Sequence, residues 1–146
     1  MAEIEIIAVP AEALRFVWAK ASPLLAEAVA QSHGTFLTED VLACCERGAM
    51  QLWLACEGED VIAAVAAEIV IFPRKKVLGI PFAGGRDMAR WYGKMEAAVE
   101  AWAKGFGCTA ERLYGRKGWA RVTKGQESGV MLWREFAAEP VSAEVH

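Results

Sequence analysis

Two adjacent glycines precede the strongest helical pattern in the sequence, in the stretch Ile80-Pro-Phe-Ala-Gly-Gly-Arg-Asp-Met88. Because glycine has no side chain, a phosphate could approach the backbone closely at Gly84 and Gly85. Unpaired N–H groups and the positive end of a helix dipole also favour an anion at such a position. Ala83, Gly84, Gly85 and Arg86 are therefore candidates for binding a phosphate. The alternative is that the glycines only turn a strand into a helix.

One carboxylate interrupts an apolar segment and is a candidate for acid–base chemistry. Glu68 lies within the run Ala67-Glu68-Ile69-Val70. A carboxylate in such surroundings could deprotonate an amine through a water molecule. The alternative is that Glu68 faces solvent on a half-exposed sheet.

Basic residues are concentrated in the second half of the chain. Residues 1–73 carry a net charge of −8 and residues 74–146 carry +5, although the whole chain is at −3. Arg116, Lys117 and Arg121 form a basic cluster beside Trp119. Such a cluster could hold a phosphate, a nucleic acid or an acidic partner, or it could be a solvated turn. The acidic pI of about 5.5 and the lack of a known nucleic-acid-binding motif make nucleic acid the weakest of these possible ligands.

Composition predicts one domain of 146 residues with 55% hydrophobic residues. The four cysteines show no Cys-x-x-Cys spacing and there are only two histidines, so we expect reduced, buried thiols and no zinc site. The start of the chain is acidic and alternating, which is unlike a signal peptide. The longest apolar run, Val61 to Phe72, is too short to span a membrane. These features predict a cytoplasmic protein without a membrane segment.

Hydrophobic periodicity predicts an α/β (α+β) domain in the order β-α-α-β-β-β-α-β-α-β. Pro23 divides the first helical pattern into two short helices or one kinked helix. Three consecutive strands should form an antiparallel meander, followed by a long helix and three shorter elements. The predicted bounds in the second half are strand 76–82, helix 86–104, strand 109–114, helix 119–124 and strand 130–136, with a frayed tail from 137 to 146.

This element order, over roughly residues 3–136, resembles the GNAT (GCN5-related N-acetyltransferase) superfamily, whose sheet is mixed and mostly antiparallel. In that family the loop before the long helix has the pattern Arg/Gln-x-x-Gly-x-Gly/Ala and holds the pyrophosphate of acetyl-CoA. The resemblance implies that Gly84 to Asp87 would occupy this position. The family also places an acid-catalyst tyrosine in Tyr-x-x-x-Gly-Phe. If Gly125 is that glycine, Arg121 stands at the tyrosine position, and Tyr114 is the nearest tyrosine.

The segment Tyr114-Gly-Arg-Lys-Gly-Trp-Ala-Arg121 is similar to one in divergent GNAT-like proteins of tailed bacteriophages. That resemblance implies a virion, morphogenesis or protein-interaction component without an intact acetyl-CoA motif. The alternative is an acetyl-CoA-dependent N-acyltransferase that acts on an unknown amine, with Glu68 and Tyr114 catalytic and Arg116 among the cofactor-binding residues. Strand 130–136 is apolar on both faces, which predicts a protein partner or a second copy near Trp133 or Trp119, unless the tail covers them.

Overall fold

A computed structural model describes residues 3–114 and 125–138, and its helices and strands all lie in the first range. The chain enters through strand β1 (Ile4–Ala8), a short 3-10 turn, and helices α1 (Leu14–Ala30) and α2 (Thr38–Glu46). The predicted meander follows as β2 (Gln51–Glu57), β3 (Asp60–Ile71) and β4 (Lys76–Gly85). Helix α3 (Met88–Gly105) then leads to β5 (Cys108–Leu113).

The five strands form one sheet in the order β1-β2-β3-β4-β5. All neighbouring pairs are antiparallel except β4 and β5, which are parallel. A parallel neighbour requires a crossover connection, and α3 provides it. The prediction of a mixed, mostly antiparallel sheet is confirmed.

Helices cover both faces of the sheet, and alternate strand residues divide the core in two. One cluster packs α1 and α2 against Leu52, Leu54 and Ala66, and the other packs α3 against Trp53, Val65 and Ile80. Since both faces of β2 and β3 are covered over residues 52–56 and 62–67, these segments are apolar without alternation.

Helix α1 runs through Pro23 as one continuous helix rather than two. A proline lacks an N–H group and so removes one backbone hydrogen bond, but the apolar face on either side of Pro23 is unbroken. Ala21, Leu25 and Val29 are all buried against the sheet. Burial of that face offsets the lost bond.

Residues 125–138 form part of a second compact unit and contain neither helix nor strand. The predicted strand 130–136 is therefore wrong. Alternating apolar residues set which side chains share a face, but a strand also needs a hydrogen-bonded neighbour along its length. The predicted helix 119–124 and most of the frayed tail lie outside the described residues.

Candidate functional site

An opening begins where β4 and β5 stop pairing. Their last paired residues are Ile80 and Leu113, yet β4 continues to Gly85. The change coincides with a bulge, because Ile80 and Pro81 of β4 together oppose only Ala67 of β3. A proline has no N–H to donate and is tolerated in sheets at edges and bulges. The part of β4 beyond Pro81 thus has no partner in the described part of β5.

Backbone groups of β4 point into this opening. The amide of Arg86 donates to the carbonyl oxygen of Ile62 at 2.9 Å. In an antiparallel pair the residues alternate between facing their partner strand and facing away from it. Counting back from Arg86, Ala83 and Gly85 direct their N–H groups away from β3, towards the side where β5 has ended. These two amides can donate to a ligand.

Helix α3 begins directly above the opening without a side-chain cap. Its N-cap residue, Asp87, has left-handed backbone angles (φ 55°, ψ 49°) and its carboxylate makes no capping hydrogen bond. The indole Nε1 of Trp91 donates to the carbonyl oxygen of Arg86 at 2.9 Å and holds this turn in place. The first N–H groups of an uncapped helix form an anion site.

The two glycines have a packing role that the sequence did not reveal. A Cβ atom on Gly84 would lie 2.0 Å from the carbonyl oxygen of Leu24 in α1. A Cβ atom on Gly85 would lie 2.6 Å from both the Cβ of Ala63 and the carbonyl oxygen of Ile62. Both glycines therefore lie within β4 because its neighbours leave no room for a side chain. Their presence is not by itself a sign of phosphate binding.

Charged side chains surround the β4–α3 junction. The guanidinium of Arg86 lies 3.5 Å from the carboxylate of Asp60, so this candidate phosphate ligand already has an anionic neighbour. Arg90 in the first turn of α3 donates to Glu57, and that hydrogen bond lowers the pKa of the Glu57 carboxyl. Arg90 also lies 3.9 Å from Asp87. Sequence patterns did not indicate a role for Arg90, because its partner Glu57 is 33 residues away in the chain.

The structure places Glu68 and Tyr114 on the same face of the sheet. Glu68 is half-buried on β3, and its Oε1 lies 3.3 Å from where a Cβ of Gly79 would be. Tyr114 follows β5 and is exposed, with the Arg112 guanidinium 5.8 Å from its ring centre. Both lie near the point where β4 and β5 separate. Arg116, Lys117 and Arg121 fall outside the described residues.

A groove of about 690 Å³ lies at the opposite end of β4, where the strand begins. It follows the edge of β3 that extends beyond β2, and Glu68 also borders it. Its remaining wall is largely apolar, including Met50, Trp102 and Phe106. The groove is thus separated from the helix N-terminus by the length of β4, which is about 30 Å for ten residues.

The four cysteines are free and buried, as expected. Burial raises the pKa of the Cys45 thiol to about 11, so this thiol is protonated near neutral pH and unreactive. Residues 3–114 and 125–138 contain no cluster of side chains that could hold a metal ion. The same ranges contain no helix long and apolar enough to cross a membrane.

Comparison with solved structures identifies the architecture. Aminoglycoside acetyltransferase meta-AAC0020 from an uncultured soil metagenomic sample, solved with sisomicin, superposes with a TM-score of 0.69 at 13% identity, over 91% of this chain and 96% of that chain. The complex of AAC(6')-Iy with the bisubstrate analog CoA-S-monomethyl-acetylneamine superposes with a TM-score of 0.68 at 13% identity, over 93% of this chain and 100% of that chain. A GNAT family acetyltransferase of Staphylococcus aureus superposes with a TM-score of 0.59 at 14% identity, over 90% of this chain and 99% of that chain.

The chain has the GNAT acetyltransferase fold. No family model matches the sequence, and no curated protein matches it. The expected resemblance is therefore confirmed at the level of the fold. Within this GNAT fold, the opening between β4 and β5, the β4 amides that face away from β3 and the start of α3 lie at one end of the sheet.

Proposed function

We propose that this protein is an acyl-CoA-dependent N-acyltransferase. The observation that carries the proposal is a set of donors at the end of β4 that have no partner among the described residues, formed by the amides of Ala83 and Gly85 and by the first turn of α3. Backbone donors of this kind suit a ligand with an extended amide-containing arm and an anionic diphosphate. Acetyl-CoA has both features.

In this arrangement the ends of acetyl-CoA have separate binding sites. The N–H groups at the start of α3 would hold its pyrophosphate, with Arg86 beside them, and the amides of Ala83 and Gly85 would hold the pantetheine arm. The negative charge of Asp87 opposes a phosphate, and Asp60 competes for Arg86. We therefore assign most of the anion affinity to backbone groups rather than to side-chain charge.

The chemistry of transfer would need a proton acceptor and a proton donor. When bound, acetyl-CoA supplies an activated acyl group as a thioester. Glu68, which forms no ion pair among the described residues, would accept the proton of the attacking amine, directly or through water. The hydroxyl of Tyr114 would supply a proton to the departing thiolate. Arg116 stays a predicted phosphate ligand.

A backbone variant at Ala83 tests the assignment. Ala83→Pro removes the N–H that faces the opening, while Ala83→Gly keeps it. We expect Ala83→Pro to weaken acetyl-CoA binding at least tenfold in calorimetry, and Ala83→Gly to leave it within about twofold. Equal affinities in a folded Ala83→Pro protein would refute the role of this amide.

A second candidate is a non-catalytic GNAT-fold protein that binds another protein, including the virion or morphogenesis role. The exposed apolar side chains of residues 125–138 favour it. Leu132 is 88% exposed and Phe136 is 79% exposed, and exposed clusters of this kind often mark contacts with partners.

Sedimentation of the full chain tests this candidate. If these side chains join two copies, micromolar protein should sediment as a dimer and Leu132→Asp should be monomeric. Thr109→Asp, at an exposed position on β5, serves as the control for an added charge. A wild-type monomer at all concentrations would count against self-association.

A further inference from the structure

Three neighbouring strands place an acid, a glycine and an arginine in one row across the sheet. Glu68 of β3 pairs with Gly79 of β4, which in turn pairs with Arg112 of β5. The three share a face, because a Cβ on Gly79 would contact Glu68 and because Arg112 packs on Phe72, four residues after Glu68. This row lies one residue before the last β4–β5 pair, at the base of the opening.

Gly79 leaves a gap in the middle of the row. A Cβ there would lie 3.1 Å from Cγ and 3.3 Å from Oε1 of Glu68, so the Glu68 side chain leans over the glycine. Within residues 3–114 and 125–138 its carboxylate forms no ion pair. The carboxylate therefore lies beside the gap above Gly79, where the backbone of β4 is not covered by a side chain of its own.

Aromatic rings position the arginine on the other side of the gap. The guanidinium of Arg112 lies 5.3 Å from the ring centre of Phe72 and 5.8 Å from that of Tyr114. Cation–π contacts of this kind orient a guanidinium without using its N–H donors. Arg112 forms no ion pair with a described acid. Its donors remain available for an anion.

Glu68 and Arg112 have opposite charges, yet they do not pair. Their backbones are two strand spacings apart, about 9 to 10 Å. Gly79 between them has no side chain, and the Cγ2 of Val70 lies 3.5 Å from where its Cβ would be. A ligand with a positive group and a negative group would satisfy both at once. A carboxylate or phosphate suits the fork of an arginine, and an ammonium group suits a carboxylate.

We propose that the Glu68–Gly79–Arg112 row is the acceptor site and that it selects amines which also carry a carboxylate or a phosphate. The amine would lie at Glu68, beside the opening, and the anionic group would lie at Arg112. The assignment of this site to the acceptor amine rests on the proposed acyltransferase function. The preference for anionic amines can be measured without acetyl-CoA. Charge selectivity would thus arise from two residues that flank a glycine.

Matched amines test the preference by ligand-observed NMR and calorimetry in the absence of acetyl-CoA. One pair is 6-aminohexanoate and 6-aminohexanamide, and the other is glucosamine 6-phosphate and glucosamine. We expect the anionic member of at least one pair to bind tenfold or more tightly, and the pair that shows the preference distinguishes carboxylate from phosphate. Arg112→Gln should abolish the preference, and Glu68→Gln should weaken both members of the pair.

Arg47→Gln is the matched control, since Arg47 is an exposed arginine at the end of α2 and its loss should leave the preference unchanged. Equal binding within both pairs, or a preference that survives Arg112→Gln, would overturn the proposal. If acetyl-CoA binds and no preference is found, only the acceptor assignment fails. If the preference is found and acetyl-CoA does not bind, the acyltransferase function fails and the ligand site stands.

Discussion

Individual residues in the candidate site have a packing role beside the ligand-binding role proposed for them, and the two roles need separate tests. Gly84 and Gly85 were candidates because glycine exposes backbone to a phosphate. The structure shows another reason for a glycine at each position, since α1 approaches Gly84 and β3 approaches Gly85 too closely for a side chain. A loss of cofactor binding in a glycine variant would therefore report first on the fold.

Alanine substitutions at three glycines should separate these effects. Gly84→Ala and Gly85→Ala should each destabilise the protein by about 2 kcal/mol or more, because the new Cβ overlaps backbone atoms. Gly93→Ala in α3, where a Cβ meets nothing within 4 Å, should stabilise it by up to about 1 kcal/mol. Urea denaturation gives the three free energies of unfolding, and equal effects at all three positions would contradict the packing account.

At the scale of elements, the sequence predicted most helices and strands but not the irregularities that create the site. Alternation and helical spacing located the meander, α3 and β5 to within two or three residues. The bulge at Ile80–Pro81 depends on register with β3, and register is a property of paired strands rather than of one segment. The predicted strand 130–136 failed for the same reason, since its pattern was adequate but no ladder forms there.

The contact between α3 and β5 should make the stability of the folded protein depend on pH. Partial burial, followed by the negative charges of Glu96 and Glu100, raises the pKa of the Glu111 carboxyl above its usual 4.5. The folded state thus holds this proton more tightly than the unfolded state does, so ionisation costs stability as pH rises through these values. Glu111→Gln should be more stable than the wild type at pH 7.

Thermal denaturation over a pH series would check this. The difference between Glu111→Gln and the wild type should shrink as pH falls below about 4.5, the usual value for the carboxyl. Glu127→Gln, in the other described segment, controls for the loss of one negative charge. A Glu111→Gln protein that is no more stable at pH 7 would contradict the predicted strain between these carboxylates.

At the scale of the whole molecule, the fold fixes where a ligand can bind but not which reaction follows. Solved structures of low sequence identity share the architecture, and the described residues provide free amides, an uncapped helix and the Glu68–Gly79–Arg112 row. The sequence alone suggested Glu68 and Tyr114 separately. It could not show that they share a sheet face, because that depends on the parallel pairing of β4 with β5.

Calorimetric titration of the 146-residue chain with acetyl-CoA tests the central claim most directly. We expect saturable binding of one molecule per chain, weakened by added salt because the pyrophosphate is held partly by charge and dipole, and reduced in Ala83→Pro but not in Ala83→Gly. The absence of saturable binding up to about 1 mM, the upper end of typical Michaelis constants, would contradict the acyltransferase assignment.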